Sequence, residues 1–261
     1  MRTSARYRFR GTALLLLLGG AALAEDLNVA VAANFYAPLQ HLAPQFEHAT
    51  GDKLIISSGS SGQLYAQITQ GAPFDVFLSA DSDKPSLLER AGLTVPGSRF
   101  TYAVGTLVLW SSKAGVVDAQ GSVLKAGGYR YLGMADPSSA PYGAAAQQVL
   151  TALGLWDGLN RDKKLVLGES ITQTWQFAAT GNVDLAFVAL SQVITPEGGV
   201  TGSSWLPPQA LYAPIEQEAV ILTQGSHRKA ADAFADWLHH DPHALAGIKA
   251  AGYRIRDVPR G

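Results

Sequence analysis

The sequence predicts an α/β fold in which parallel sheets are flanked by helices. One observation is the alternation of short apolar segments with longer segments whose apolar residues recur at helical spacing. Another is that several helical segments end at a glycine, which closes a helix in the left-handed conformation. This alternating order is typical of parallel sheets covered by helices, which bind ligands beyond the carboxyl ends of their strands.

The predicted strands are short and rich in Val, Ala, Leu and Phe. In chain order they cover residues 27–33, 53–58, 75–80, 102–111, 130–135, 183–189 and 218–223. The predicted helices follow them at residues 35–50, 62–70, 82–91, 143–153, 172–179 and 226–238, with a last helix to residue 251. The segment 164–167 leads into the helix at 172–179, and 102–111 is predicted as one continuous strand.

Composition limits the possible functions. The chain has 261 residues, of which 47% are hydrophobic and 16% charged, enough for one large domain or two modest ones. It has no cysteine, which excludes disulfides, thiolate metal sites and cysteine nucleophiles. The net charge is −1, but without the first 24 residues 16 basic and 21 acidic side chains remain, a net charge of −5. Nucleic-acid binding is therefore not expected.

The first 24 residues are predicted to be a secretory signal peptide. Four arginines within the first ten residues precede an apolar run, and Ala22-Leu23-Ala24 forms a small-x-small cleavage site. An uncleaved membrane anchor is the alternative, but the apolar run is shorter than the roughly 20 residues that a spanning helix needs. We expect cleavage after Ala24 and a periplasmic mature protein.

Four predicted junctions between a strand and the following helix share one chemical character. They lie at Asn34, at residues 57–62, at residues 140–143 and at residues 170–172. Each offers backbone N–H groups at the positive end of a helix dipole, and none contains lysine or arginine. Several such ends together would bind a small anion through neutral donors, although each one alone is also an ordinary helix cap.

Three segments together carry a resemblance to a known family. They are residues 32–35, residues 56–68 with the loop Ser-Ser-Gly-Ser-Ser-Gly, and residues 71–81 with Gly-Ala-Pro-Phe-Asp-Val-Phe-Leu-Ser-Ala-Asp. The chain resembles the periplasmic molybdate-binding proteins of ABC transporters over essentially its whole mature length. The resemblance implies a two-lobed, type II binding-protein fold. One lobe would comprise residues 25–104 and 216–261, the other residues 105–215, with hinges near 104–107 and 215–219.

The resemblance also implies the site. The oxyanion ligands of the family fall on Asn34, Ser61, Tyr142 and the backbone N–H of Ile171. Tyr142 is expected to contribute its phenol hydroxyl. Some relatives have threonine before the asparagine, where this chain has Ala33, which would offer only its N–H.

The expected function is capture of molybdate, and of tungstate, in a cleft between the lobes. The metal would be bound only as its oxyanion, with no cofactor and no catalysis. The closed monomer would then deliver the ion to an ABC permease in the inner membrane, a partner that the resemblance implies. Donors placed for the longer metal–oxygen bond would leave the bonds to sulfate stretched, and a pocket of donors offers no acceptor for the proton of hydrogen phosphate.

Three alternatives stay open at this point. The ligand could be another tetrahedral oxyanion, sulfate or phosphate. The protein could be an exported serine hydrolase, although no Gly-x-Ser-x-Gly motif is present. A separate metal site could form at His239, His240 and His243, where an exposed helix end is the simpler interpretation.

Overall fold

The computed structural model describes residues 24–256, and these form two lobes, each built on a five-stranded sheet. The predicted signal peptide, apart from Ala24, lies outside the described residues. Within the described part, no helix has the length and apolar character needed to cross a membrane.

The first lobe is built on one mixed sheet. Its strands are β1 (Asp26–Ala32), β2 (Lys53–Gly59), β3 (Val76–Ser79), β4 (Phe100–Gly105) and β10 (Ile215–Ile221), in the order β2-β1-β3-β10-β4. The second lobe is built on β5 (Leu107–Ser111), β6 (Leu132–Ala135), β7 (Leu165–Gly168), β8 (Leu185–Ala189) and β9 (Ser203–Trp205), in the order β7-β6-β8-β5-β9. In each sheet two strand pairs are parallel and two are antiparallel.

Helices cover both sheets. They are α1 (Tyr36–Thr50), α2 (Ser61–Thr69), α3 (Asp83–Arg90), α4 (Val123–Ala126), α5 (Pro141–Ala152), α6 (Trp156–Arg161), α7 (Ile171–Ala179), α8 (Arg228–His240) and α9 (Pro242–Ala250). Helix α1 buries Leu39, Leu42 and Phe46 on one face, as their spacing predicts, and it ends at Gly51 in the left-handed conformation. The order of helices and strands confirms the α/β prediction, but the prediction of parallel sheets is wrong. Both sheets are mixed, because β10 runs antiparallel to β3 and β4 in the first lobe and β5 runs antiparallel to β8 and β9 in the second.

The prediction of one continuous strand at 102–111 is wrong. The segment forms β4 and β5, which are separated at Thr106 and belong to different sheets. β4 pairs antiparallel with β10, and β5 pairs antiparallel with β8 and β9. The chain therefore passes from the first lobe to the second at Thr106, and it returns through residues 206–214.

Each lobe has its own hydrophobic core. Phe35, Phe46 and Phe234 belong to the core of the first lobe, and Phe187 and Leu150 belong to that of the second. The three short elements α4, α6 and β9 are not predicted from the sequence. All three belong to the second lobe, and β9 is an edge strand of its sheet beside β5.

Candidate functional site

A small cavity lies between the lobes, where β1 ends and α2, α5 and α7 begin. Its walls are formed by Ala32, Ala33, Asn34, Ser60, Ser61, Ala80, Ala140, Pro141, Tyr142 and Ile171. The cavity volume is about 10 Å³, roughly the room that one water-sized group needs, so the cavity is too small for an organic ligand. The five residues predicted for the site all line this cavity.

The first lobe presents Ser61 to the cavity through a well-defined helix start. Ser60 caps α2, because its Oγ accepts a hydrogen bond from the N–H of Gln63 at 3.3 Å. The Oε1 of Gln63 in turn accepts from the N–H of Ser60 at 3.1 Å. This reciprocal capping box fixes the first turn of α2 and leaves Ser61 without a capping role.

The hydroxyl of Ser61 is oriented as a donor. Its Oγ accepts a hydrogen bond from the N–H of Ala80 at 2.9 Å, and the residue is only 1% exposed. A hydroxyl has one proton to donate, and accepting from Ala80 leaves that proton for a group inside the cavity.

Backbone N–H groups supply further donors. Within residues 24–256, the N–H groups of Asn34, Tyr142 and Ile171 donate to no protein atom. Tyr142 is the second residue of α5 and Ile171 is the first of α7, so both N–H groups belong to the unpaired first turn of a helix. The positive ends of these two helix dipoles favour an anion between them.

The cavity carries no formal charge. Among the described residues no lysine, arginine, histidine, aspartate or glutamate lines it. Its one ionisable side chain is Tyr142, whose pKa is raised well above the ordinary value of 10.0 by burial and then by the neighbouring tyrosines Tyr253 and Tyr102. Tyr142 is therefore neutral at physiological pH.

Ala33 differs from its predicted role. Its N–H donates to the carbonyl oxygen of Gly59 at 2.9 Å, which continues the pairing of β1 with β2 by one residue. That N–H is already used, so Ala33 contributes only a wall of the cavity.

The phenol of Tyr142 also differs from its predicted role. The ring is buried, and its hydroxyl lies against the α-carbon of Gly105, so closely that a β-carbon there would collide with it. Because Gly105 has no side chain, the phenol fills that space beside Tyr253 instead of turning into the cavity. The N–H of Tyr142, not its hydroxyl, is the donor that faces the cavity.

Hydrogen bonds across the cleft show that the lobes are closed. The N–H of Gly62 donates to the carbonyl oxygen of Ser139 at 2.9 Å. The Oγ1 of Thr172 donates to the carbonyl oxygen of Ala33 at 3.2 Å. These contacts have no local signal in the sequence, because a hydroxyl or glycine residue at the start of a helix does not indicate a partner in the other lobe.

A larger groove of about 400 Å³ adjoins the cavity and shares Ala80 and Pro141 with it. Its walls carry the carboxylates of Asp81, Asp83 and Glu216 and one cation, Lys84, whose Nζ is paired with Asp81 at 3.1 Å, so the carboxylates are in excess. Carboxylates repel an anion, so the chemistry favours the smaller, uncharged cavity as the binding site.

Residues 27–254 match the family described as bacterial extracellular solute-binding protein. The chain belongs to this family. The solute-binding protein is 54% identical to the molybdate-binding protein ModA of Azotobacter vinelandii, over 92% of this chain and 94% of that one. It is 50% identical to ModA of Rhodobacter capsulatus, over 94% of this chain and 96% of that one. A solved structure of the periplasmic molybdate-binding protein of Azotobacter vinelandii matches it with a TM-score of 0.86 and 48% identity, covering 88% of this chain and 99% of that one.

These similarities do not favour the hydrolase alternative. Ser61 is paired with a backbone N–H, and in the described part of this solute-binding protein no histidine stands beside it in the cavity to act as a base. The metal alternative is not supported either, because within residues 24–256 no three His, Cys, Asp or Glu side chains are placed so that together they could hold a metal ion. His239 stacks on Phe100 and His240 pairs with Asp236.

Proposed function

We propose that this protein captures molybdate in the periplasm and delivers it to an ABC permease. The observation that carries the proposal is the convergence of uncharged hydrogen-bond donors from both lobes on one small cavity, which no charged side chain of residues 24–256 lines. The two ModA relatives and the similar solved structure are molybdate-binding proteins by name, which supports molybdate as the ligand. Tungstate has the same charge and shape and is expected to bind as well.

Four donors would hold the ion. They are the hydroxyl of Ser61 and the N–H groups of Asn34, Tyr142 and Ile171. A tetrahedral dianion presents only acceptor oxygens, so donor-only contacts match it without a counter-charge. Each such bond to an ion contributes roughly 1.5–3 kcal/mol, which offsets the cost of removing the ion from water when the cavity is rigid and dry.

Selectivity would come from distance and protonation. Sulfate has the charge and shape of molybdate but shorter bonds, so fixed donors would leave its hydrogen bonds stretched. Phosphate carries a proton near neutral pH, and a wall of donors has no acceptor for it. An arginine or lysine would attract every anion and weaken this discrimination.

Binding would stabilise the closed arrangement of the lobes. Asn34 and Ser61 belong to the first lobe, and Tyr142 and Ile171 belong to the second, so one ion bridges them and shifts the population toward closure. We assign residues 25–104 and 216–261 to the first lobe and residues 105–215 to the second. The membership of the two sheets supports that division to within one residue, because Gly105 ends β4 and Ile215 begins β10, and both strands belong to the sheet of the first lobe.

Export and delivery complete the proposal. Residues 1–24 would direct secretion, with cleavage after Ala24. The mature monomer would dock on the permease in its closed form.

Calorimetry of the mature protein with molybdate, tungstate, sulfate and phosphate tests the function. Molybdate and tungstate should bind at one site per chain, and sulfate and phosphate should bind far more weakly. Ser61→Ala should lose most of the affinity. Ser111→Ala is the matched control, since Ser111 is also only 1% exposed but bonds to the carbonyl of Asp184 inside the second lobe. Sulfate or phosphate binding as tight as molybdate binding would refute the proposal.

A further inference from the structure

The backbone carbonyl of Asn34 accepts two hydroxyl hydrogen bonds. One comes from the Oγ of Ser191 at 2.9 Å and the other from the Oη of Tyr253 at 2.8 Å. The two hydroxyls also lie 3.2 Å from each other. Asn34, whose N–H is a proposed donor to the ion, is therefore fixed at its carbonyl oxygen by two hydroxyl groups.

The side chain of Asn34 belongs to the same network. Its Nδ2 donates to the Oη of Tyr253 at 2.8 Å and to the Oε1 of Gln217 at 2.7 Å. The Nε2 of Gln217 donates to the carbonyl oxygen of Ile215 at 3.0 Å, which fixes the oxygen of Gln217 toward Asn34. Both donors of the Asn34 amide are thus used inside the protein, and only its backbone N–H remains for the cavity.

The two hydroxyls come from opposite lobes. Ser191 follows β8 of the second lobe, whereas Tyr253 follows α9 and packs edge-to-face on Phe35 in the core of the first lobe, with ring centroids 5.4 Å apart. The bond from Ser191 to Asn34 therefore spans the cleft and must break when the lobes separate. Tyr253 stays with Asn34 and presents its hydroxyl to Ser191 on closure.

Resting on the proposed function, we propose that Ser191 and Tyr253 are positioning residues for anion binding. In the closed arrangement their hydroxyls hold the carbonyl of Asn34, fix its N–H toward the ion and slow the release of the ion. Neither residue lines the cavity, so both act through Asn34.

The proton count of the network is consistent with this role. The Oη of Tyr253 accepts from the Nδ2 of Asn34 and gives its single proton to the carbonyl of Asn34 or to Ser191. Burial raises the pKa of Tyr253 to about 12, so the hydroxyl keeps that proton at physiological pH. Hydrogen bonds in such a buried, fully paired network strengthen one another.

The test measures the release of radiolabelled molybdate from the mature protein after addition of excess unlabelled molybdate. Ser191→Ala and Tyr253→Phe should each raise the dissociation rate roughly tenfold with little change in the association rate. The dissociation rate of the double variant should rise by less than the product of the two single increases, because both hydroxyls act on one carbonyl. Tyr102→Phe is the matched control, since the buried hydroxyl of Tyr102 has no partner among the described residues.

A readout of ligand-free stability separates positioning from a general structural role. Ser191→Ala should leave the ligand-free Tm unchanged, because the bonds that it removes form across the cleft. If the wild type binds molybdate and Ser61→Ala does not, the proposed function stands. Wild-type dissociation rates in both Ser191→Ala and Tyr253→Phe would then overturn this inference alone. Absence of molybdate binding in the wild type would overturn the proposed function and this inference with it.

Discussion

The N–H of Gly62 donates to the carbonyl oxygen of Ser139 at 2.9 Å, and this bond joins the first turn of α2 to the loop before α5. A β-carbon at Gly62 would lie 2.9 Å from that oxygen and 3.0 Å from the α-carbon of Ser139. Both are backbone atoms and cannot turn aside. The glycine is therefore required by the close approach of the two lobes rather than by the helix.

Gly62→Ala should weaken molybdate binding without destabilising the ligand-free protein. The added methyl group opposes closure, and overpacking of this kind costs about 1–3 kcal/mol, which raises Kd by roughly 5- to 160-fold. Alanine also favours the helix over glycine, so the ligand-free Tm should stay equal or rise. Calorimetry and thermal melts measure the two effects.

Gly158→Ala is the control for that substitution. Gly158 also lies in a helix, but a β-carbon there meets nothing closer than the guanidinium of Arg161 at 3.8 Å. Its Kd for molybdate should match the wild type. An unchanged Kd in Gly62→Ala would show that the lobes can bind the ion without the close approach of Gly62 to Ser139.

Ile171→Pro should remove one proposed donor while it preserves the helix. Ile171 is the first residue of α7, a position that proline favours because the missing N–H has no partner in the helix. Ser170 has an extended backbone, with φ −145° and ψ 164°, which is compatible with a following proline. Loss of one bond to the ion should raise Kd roughly 10- to 100-fold.

Ile171→Ala separates the N–H from the side chain. It loses the buried side chain of Ile171 but keeps the donor, so its Kd should stay much closer to the wild type than that of Ile171→Pro. Equal affinities of the two variants would argue against a bond from this N–H.

The affinity for molybdate should be independent of pH from about pH 6 to about pH 9. No group that titrates in this range lines the cavity among residues 24–256, and the pKa of Tyr142 lies well above it because of burial. Calorimetry across the range checks this. A Kd that changes tenfold between the two ends would indicate a titrating group in contact with the ion.

Thermal stability, in contrast, should depend on pH through Asp75 and His227. The buried carboxylate of Asp75 accepts from the N–H of Asn28 at 2.7 Å, from the N–H of His227 at 3.0 Å, and contacts the ring Nδ1 of His227 at 3.1 Å. Burial alone would raise the pKa of Asp75, but these hydrogen bonds outweigh it and lower the pKa below 3.8. The hydrogen bond with Asp75 raises the pKa of His227 above 6.5.

The signs of these shifts define the pH window. The contribution of Asp75 is present above pH 3.8 and is lost as the pH falls through its lowered pKa. The contribution of His227 is complete below pH 6.5 and is lost as the pH rises through its raised pKa. The Tm advantage of the wild type over His227→Gln should therefore be largest between these values and should shrink at alkaline pH.

His240→Gln is the control for that experiment. His240 also contacts a carboxylate, Asp236, at 2.9 Å, but both side chains are largely exposed, and exposed ion pairs contribute little. Its Tm should follow the wild type at every pH. A constant difference in Tm between the wild type and His227→Gln would contradict the linkage.

The sequence predicts those parts of the site that depend on residues close together along the chain. The junctions at Asn34, Ser61 and Ile171 combine polar or small residues with the start of a helix, and these local signals mark the cavity wall. The break at Thr106 left no such signal. The strands on both sides are buried and apolar, so the pattern continues while the chain changes sheets.

The choice of donor atoms depends on distant residues. The phenol of Tyr142 occupies the space that the missing side chain of Gly105 leaves, and the N–H of Ala33 donates to the carbonyl oxygen of Gly59. Likewise, Tyr253 meets Asn34 across 219 positions of sequence. These relationships arise from strand pairing and lobe closure, which local patterns do not determine.

A crystal structure of the mature protein grown with molybdate is the most direct test of the proposed site. One ion should lie in the cavity between the lobes, with its oxygens within hydrogen-bond distance of the Oγ of Ser61 and the N–H groups of Asn34, Tyr142 and Ile171. An ion found elsewhere, or one contacted by the side chain of an arginine or lysine, would contradict binding by uncharged donors from both lobes.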